Sequence, residues 1–322
     1  MRSFFALLVA VSLLLPGCGE AQPDADFTFI SGAEHNDWDP AKISWNQDVR
    51  MARLLYDPLV HVDFSDISIH PGTAESWTVS DDGRTYTFTL RDDARWSDGK
   101  PVTSRDFAYA WRRALLPEVA ADYTKMFFYL EGGEAFFNRR QEQLDEFARI
   151  RASVPTGSGG DAESGQEAAR AMWRITLDEF DRLVGVETPD DRTLVVRLAQ
   201  PTPFFLQLCG FVTFAPVPSH VLDAALSFDG ETGRVAEDPG YWSDPSRLVT
   251  NGPYTLAGRR FRESSLLKAN EHYYDRAAMR SATILERIIP SEQAALAAIE
   301  SRTADFYPDL PTASPLAGAL VA

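Results

Sequence analysis

Apolar residues recur along this chain with two periods. In "DFTFISG" (26–32) they alternate with polar residues, which predicts a strand. The polar stretch 32–42, with Asp39-Pro40 inside it, predicts a loop. Over 46–56, Val49, Ala52 and Leu55 share one side of a helix, and 59–62 predicts a short strand bounded by Pro58. The most structured stretch is 74–115. Trp77 and Val79 lead into the turn Ser80-Asp81-Asp82-Gly83, after which Tyr86, Phe88 and Leu90 alternate with Thr85, Thr87 and Thr89. That pattern predicts a hairpin with one buried face. Ser97-Asp98-Gly99 marks a second turn. Thr103 and Asp106 have capping-box spacing, and Val102 and Phe107 are placed to staple it. Phe107, Ala110, Trp111, Ala114 and Leu115 then form one apolar helix face that ends before Pro117.

The pattern weakens in the middle of the chain. Residues 131–151 predict an exposed helix, and the Gly/Ser-rich 151–166 a flexible surface loop. That loop lacks the preceding strand and the following Gly-Lys-Ser/Thr of a phosphate cradle. Thr176 and Glu179, flanked by Ile175 and Phe180, predict a second capped helix start. Residues 192–208 read as strand, proline turn and short helix. Strands follow near 254–260, 264–269 and 282–289, and a helix over 292–301. No internal repeat is present.

Composition narrows the function classes. The 322 residues suffice for one large or two ordinary domains with a real core. The formal net charge is −16. A nucleic-acid binder needs a basic face to neutralise phosphates, so that role is disfavoured, as is docking to an anionic membrane through a basic patch.

The first 17 residues stand apart: Arg2, an apolar run from Phe4 to Leu15, then small residues. The run is too short to span a bilayer and reads as a signal peptide. Leu15-Pro16-Gly17-Cys18 resembles the lipobox of bacterial lipoproteins, with Pro16 as a departure. That resemblance implies lipidation at Cys18, followed by a tether over 18–26. The simpler alternative is an ordinary signal peptide that contains a cysteine. Cys209, in "FFLQLCGF", has no partner once Cys18 is lipidated, and its apolar setting predicts a buried, inert thiol.

Motifs for chemistry are missing. There is no Gly-x-Ser-x-Gly, His-Glu-x-x-His or Cys-x-x-Cys, and the five histidines are scattered. His35 with Asp37 and Asp39 has a composition a metal could use, but polar loops make such groupings by chance, and no metal or cofactor is expected.

At 74–115 the run "PGTAESWTVSDDGRTYTFTLRDDARWSDGKPVTSRDFAYAWRRAL" resembles the solute-binding proteins of peptide and nickel ABC importers. Four more segments agree in order: "WDPAKISWN" (38–46), "LLYDPLVHVD" (54–63), "DDRTLVVRLAQPTPFFLQL" (190–208) with "FAPVPSHVL" (214–222), and "TNGPYTLAGRRFRESSLLKANEHYYD" (250–275). The resemblance implies an α/β periplasmic-binding-protein fold of two lobes with an inserted subdomain. It places the first lobe at 27–68 and 186–255, the inserted subdomain at 69–185, and the start of an incomplete second lobe at 256–322. It implies a monomeric, exported lipoprotein of the cell envelope that meets the membrane only through its anchor. Such a protein captures peptides or a similar small solute, delivers them to an ABC importer permease, and performs no catalysis.

The same resemblance nominates site residues. Ser44, Trp45 and Asn46 fall on the first-lobe rim, where an extended ligand pairs with backbone. Asn251, Gly252 and Tyr254 fall where the chain crosses between lobes, with an unusual backbone turn expected at Gly252. Tyr109 matches a cleft-facing tyrosine of the inserted subdomain. The alternative for Trp45, Tyr109 and Tyr254 is core or hinge packing; Trp77, Trp96 and Trp111 are expected to be structural. Two other functions stay open: a truncated envelope lipoprotein with a scaffold role, and, less favoured, a hydrolase.

Overall fold

The computed structural model describes residues 23–35, 38–153, 161–238 and 240–309. The predicted signal peptide and Cys18 lie outside the described residues, as do the centre of the Gly/Ser-rich segment and the tail from 310. The first half of the chain forms β1 (Phe27–Ser31), α1 (Asn46–Leu55), β2 (Val60–Val62), β3 (Ile69–Pro71), β4 (Ala74–Val79), β5 (Thr85–Leu90), α2 (Ser104–Ala114) and α3 (Gly133–Ala152). Next come α4 (Asp161–Leu183), β6 (Val186–Glu187), β7 (Thr193–Arg197), α5 (Phe205–Cys209), α6 (Ser219–Leu222), β8 (Ser227–Phe228) and β9 (Val235–Ala236). The last elements are β10 (Tyr254–Arg260), β11 (Ser264–Ala269), β12 (Thr283–Ile288) and α7 (Glu292–Glu300).

Two four-stranded sheets organise these elements. The first runs β1-β12-β11-β10, with β1 parallel to β12 and the other pairs antiparallel. The second runs β4-β5-β7-β6, antiparallel throughout. These pairings run across the expected segment boundaries. Strand β7, expected in the first lobe, hydrogen-bonds to β5 of the inserted subdomain, and β6 to β7. Residues 254–288, largely expected in the second lobe, share a sheet with β1 of the first. Motif order along a chain carries no information about which strands pair.

The hairpin forms as its alternation predicts. Tyr86, Phe88 and Leu90 are buried and the threonines between them half-buried. The Tyr86 and Phe205 ring centroids lie 4.9 Å apart. Helix α2 starts at the predicted capping box and packs along β7. Its inner face carries Phe107 and Trp111, both fully buried. Trp111 donates its indole N–H to the Phe214 carbonyl at 3.0 Å, and Phe127 stacks on Phe214 at 4.2 Å. Each large side chain removed from water in this way contributes about 1.5–3 kcal/mol.

Two helical expectations are overturned. Helix α3 runs through Ala152 and α4 begins at Asp161, so most of the described flanks of the expected loop 151–166 are helical. Thr176 is no helix start but sits inside α4, with its hydroxyl 3.0 Å from two acceptors that share its one hydrogen, the Met172 carbonyl and Gln143 Oε1. Glu179, the expected capping partner, accepts from Gln143 at 2.7 Å and Arg139 at 3.1 Å. These polar residues stitch α3 to α4. Nor is α3 exposed all round: it buries Phe136, Arg140, Leu144 and Phe147 on one side.

Candidate functional site

Before α1, the chain leaves a short 3-10 turn at 40–42 and runs extended through Ile43 (φ −87°, ψ 119°) and Trp45 (φ −89°, ψ 146°). Ile43 is buried and anchors the strip, while Ser44, Trp45 and Asn46 are exposed. Trp45 is 62 % exposed, which removes the expectation that it packs against the following helix. Among the described residues, the backbone N–H groups of Ser44 and Trp45 meet no hydrogen-bond acceptor. Helix α1 then starts without a side-chain cap, so further N–H groups of its first turn are open to solvent. Beside the strip, the Asp122 N–H donates to the Ala41 carbonyl at 3.1 Å. Asp122 also belongs to the wall of an open, largely apolar recess of 770 Å³ that includes Tyr123, Lys125 and Phe128. The geometry is that of an exposed, extended backbone edge, which suits pairing with an extended chain.

The crossover residues are placed differently from expectation. Asn251 is buried; its carboxamide accepts from the Asp57 N–H at 3.1 Å and donates to the Asp57 carbonyl at 2.8 Å. Gly252 donates its N–H to the Leu55 carbonyl at 2.8 Å. Its φ is not positive, so no unusual turn is made there. Glycine is required instead by close approach, because a Cβ would sit 2.5 Å from the Leu55 backbone carbon. Tyr254 is buried, and its hydroxyl donates to the Ser281 carbonyl at 3.0 Å. The polar side chains of Asn251 and Tyr254 are thus spent on the protein itself. Tyr109 is buried too, on α2, beside a separate recess shared with Trp173 and Trp242.

Two buried polar clusters hold the strip and the crossover in place, and neither was visible in the sequence. The first centres on Asp57, which accepts from Thr73 Oγ1 (2.7 Å), His61 Nε2 (3.0 Å), Tyr274 (3.2 Å) and Tyr273 (3.3 Å). The Asp57 hydrogen bond raises the His61 pKa against the opposing effect of burial. Burial, then the Asp57 charge, pushes both tyrosine hydroxyls up. In the second cluster His35 donates from both ring nitrogens, to Asp48 of α1 (2.9 Å) and Glu286 of β12 (2.7 Å). Burial opposes the imidazolium, but bonds and charges from the two carboxylates outweigh it, and its pKa rises from 6.5 to about 9.

The loose metal grouping at His35 is therefore not one. His35 is held by Asp48 and Glu286, Asp39 pairs with both Arg113 Nη atoms (2.8 and 2.5 Å), and Asp37 lies outside the described residues. Among the described residues no cluster has the make-up of a metal site. Cys209 is buried with its thiol pushed well up by desolvation, the inert state expected of it.

Comparison with known proteins places this geometry. The pattern of a family described as bacterial extracellular solute-binding proteins, family 5 Middle, matches residues 68–318. The chain belongs to that family. Family 5 proteins are binding components of transporters, not enzymes. The periplasmic oligopeptide-binding protein OppA of Escherichia coli is 31 % identical over 249 residues, covering 77 % of this chain and 36 % of OppA. OppA of Haemophilus influenzae is 29 % identical over 299 residues, covering 91 % and 46 %. Among solved structures, the murein tripeptide binding protein MppA of Escherichia coli superposes with a TM-score of 0.71 at 24 % identity, covering 93 % of this chain and 48 % of MppA. The fold is the mixed α/β fold of periplasmic solute-binding proteins, and the chain spans less than half the length of these relatives.

Proposed function

We propose that this protein is exported and captures peptides for an ABC importer permease. The observation that carries the reading is the exposed strip Ser44–Trp45–Asn46, whose free N–H groups suit the carbonyls of an extended peptide. Recognition through backbone ignores side-chain identity, as a binder of many peptides requires. Ser44, Trp45 and Asn46 are the contacts in this reading. Asn251, Gly252 and Tyr254 hold the crossover through bonds to Asp57, Leu55 and Ser281, and Tyr109 lies beside a separate recess. The lobes we propose follow the sheets: β1 with β10, β11 and β12 as one wall, and the β4-β5-β7-β6 sheet with α2 as the inserted subdomain.

Calorimetric titration of the chain with a pool of short peptides tests the reading. Binding is expected to tolerate sequence changes in the peptide and to weaken by about tenfold in Trp45→Ala, because an exposed aromatic at an interface centre is a typical affinity anchor. Heat with nickel complexes or oligosaccharides and none with peptides would move the solute class. The leader pattern also motivates a lipid anchor at Cys18. Metabolic palmitate label should appear on the protein and vanish in Cys18→Ser; label that persists in that variant overturns the anchor.

A further inference from the structure

Helices α2 and α4 and the segment from β9 to Trp242 surround a recess of 210 Å³. Its wall is mainly apolar, formed by Leu116, Val119, Trp173, Val235 and Trp242. Both tryptophans are buried and their rings are held in place. Arg112 and Arg140 lie 5.7 and 5.8 Å from the Trp173 centroid, and Arg113 lies 5.0 Å from that of Trp242. The Trp242 N–H is spent on Glu237 Oε2 at 3.1 Å. Tyr109 of α2 also lines the recess and is only 8 % exposed. Among the described residues its hydroxyl has no hydrogen-bond partner. Burial, then the nearby Glu237 carboxylate, pushes that hydroxyl's pKa up, so it stays a protonated donor at neutral pH. Glu237 belongs to the same wall, which puts the hydroxyl on the recess side of the tyrosine. Buried polar groups without a partner are rare in folded proteins, because each one costs stability.

The charges around the recess balance. Arg113 is shared by Asp39 and Glu237, Arg140 holds Glu118, and Arg247 holds Asp238. Arg112 feels the carboxylates of Asp223 and Asp181, and Lys42 is exposed at the edge. Glu118 Oε2 lacks a partner but is sealed from solvent. A balanced wall gives no return for stripping water from a charged ligand. We propose that the recess binds a small uncharged aromatic molecule with one oxygen acceptor, its ring against Trp173 and Trp242 and its oxygen on the Tyr109 hydroxyl. Apolar cavities of about 150 Å³ hold benzene, whereas drug-sized pockets begin at roughly 300 Å³. A volume of 210 Å³ therefore suits one ring with a short substituent. Flat rings pack edge-to-face or offset against aromatic walls, which favours a ring over an alkyl chain of equal size.

Acetophenone is the probe, titrated into the full chain and followed by ligand-observed saturation-transfer NMR. It is expected to bind, and ethylbenzene, which keeps the ring but lacks the carbonyl, to bind about fivefold more weakly, the worth of one neutral hydrogen bond. Phenylacetate is expected to bind more weakly than acetophenone, since its charge finds no surplus partner. These comparisons use the unaltered protein and need no variant to fold. Tyr109→Phe, checked for an unchanged unfolding curve, should erase the difference between acetophenone and ethylbenzene. No signal with acetophenone, equal binding of the ketone and the hydrocarbon, or tighter binding of phenylacetate would overturn the proposal. Displacement of acetophenone by the peptide pool would overturn the recess as a site separate from the strip at 44–46, whereas failure of peptides to bind at all leaves it standing.

Discussion

His35 keeps a charge that burial alone would remove, because two carboxylates meet its two ring nitrogens. The pairing joins the loop after β1 to α1 and to β12, so the charge is a structural tie. Its pKa is raised on folding, from 6.5 to about 9. A raised pKa stabilises the fold fully below the unfolded value and loses that contribution as pH rises through the folded one. Stability should therefore fall between pH 6.5 and about 9, by on the order of 3 kcal/mol from this group at 1.36 kcal/mol per pKa unit. His61 is shifted the same way and adds to the fall. Urea midpoints across that range should decline more steeply in the unaltered chain than in His35→Gln, where only the His61 contribution is left; parallel declines in both would show that His35 is not the titrating tie. The sequence displayed His35 only as a polar-loop histidine near Asp37 and Asp39. Its true partners are 13 and 251 positions away, and no local pattern encodes such distances.

At the scale of elements, the same four-residue spacing had two outcomes. Thr103 with Asp106 starts a helix, while Thr176 with Glu179 lies inside one. Before Thr103 the chain is fixed in non-helical form by the Arg95–Pro101 bridge and the bond from Val102 N–H to the Ala94 carbonyl. Before Thr176 the sequence "EAARAMWRI" favours helix, so no start is needed there. Asp106 also does more than cap. Its carboxylate accepts from the Thr103 N–H (2.8 Å), Trp96 Nε1 (3.2 Å) and Ser219 Oγ (2.6 Å), joining α2 to the second turn and to α6. Thr103→Ala should cost about 1 kcal/mol, the usual worth of a cap. Asp106→Ala should cost about 3 kcal/mol, since it strands buried donors as well. Chemical denaturation distinguishes the two; equal losses would reduce Asp106 to a cap alone. The strands β1, β2, β4, β5, β7, β10, β11 and β12 and helices α1, α2, α5 and α7 were legible through their apolar spacing, whereas the two- and three-residue strands β3, β6, β8 and β9 are too short to show one. Helix α3 was legible as a helix, but its pairing with α4 was not, because polar contacts of Arg140, Gln143, Thr176 and Glu179 join the two beside the Phe136–Phe180 ring contact.

Across the whole molecule, one continuous apolar core joins both sheets. It includes Phe29, Leu267 and Ile284 of the first and Phe88, Leu194 and Val196 of the second, with the Trp111–Phe127–Phe214 stack among its members. Sheets that share a core lose their packing together, so scanning calorimetry should show a single transition for the chain. Two resolved transitions would mean that the sheets fold as separate units. The sequence by itself determined the strands and helices with strong periodicity, the family and the inert Cys209. Those features depend on residues close together in the chain, where apolar spacing and turn chemistry act directly. Tertiary structure alone decided which strands pair, that Asn251 and Gly252 serve the backbone of Asp57 and Leu55, that His35 is charged between distant carboxylates, and that Arg112 packs among aromatic rings beside the ion-paired Arg113. Each of these depends on groups brought together from far along the chain, where burial removes water and makes every polar group's partner count.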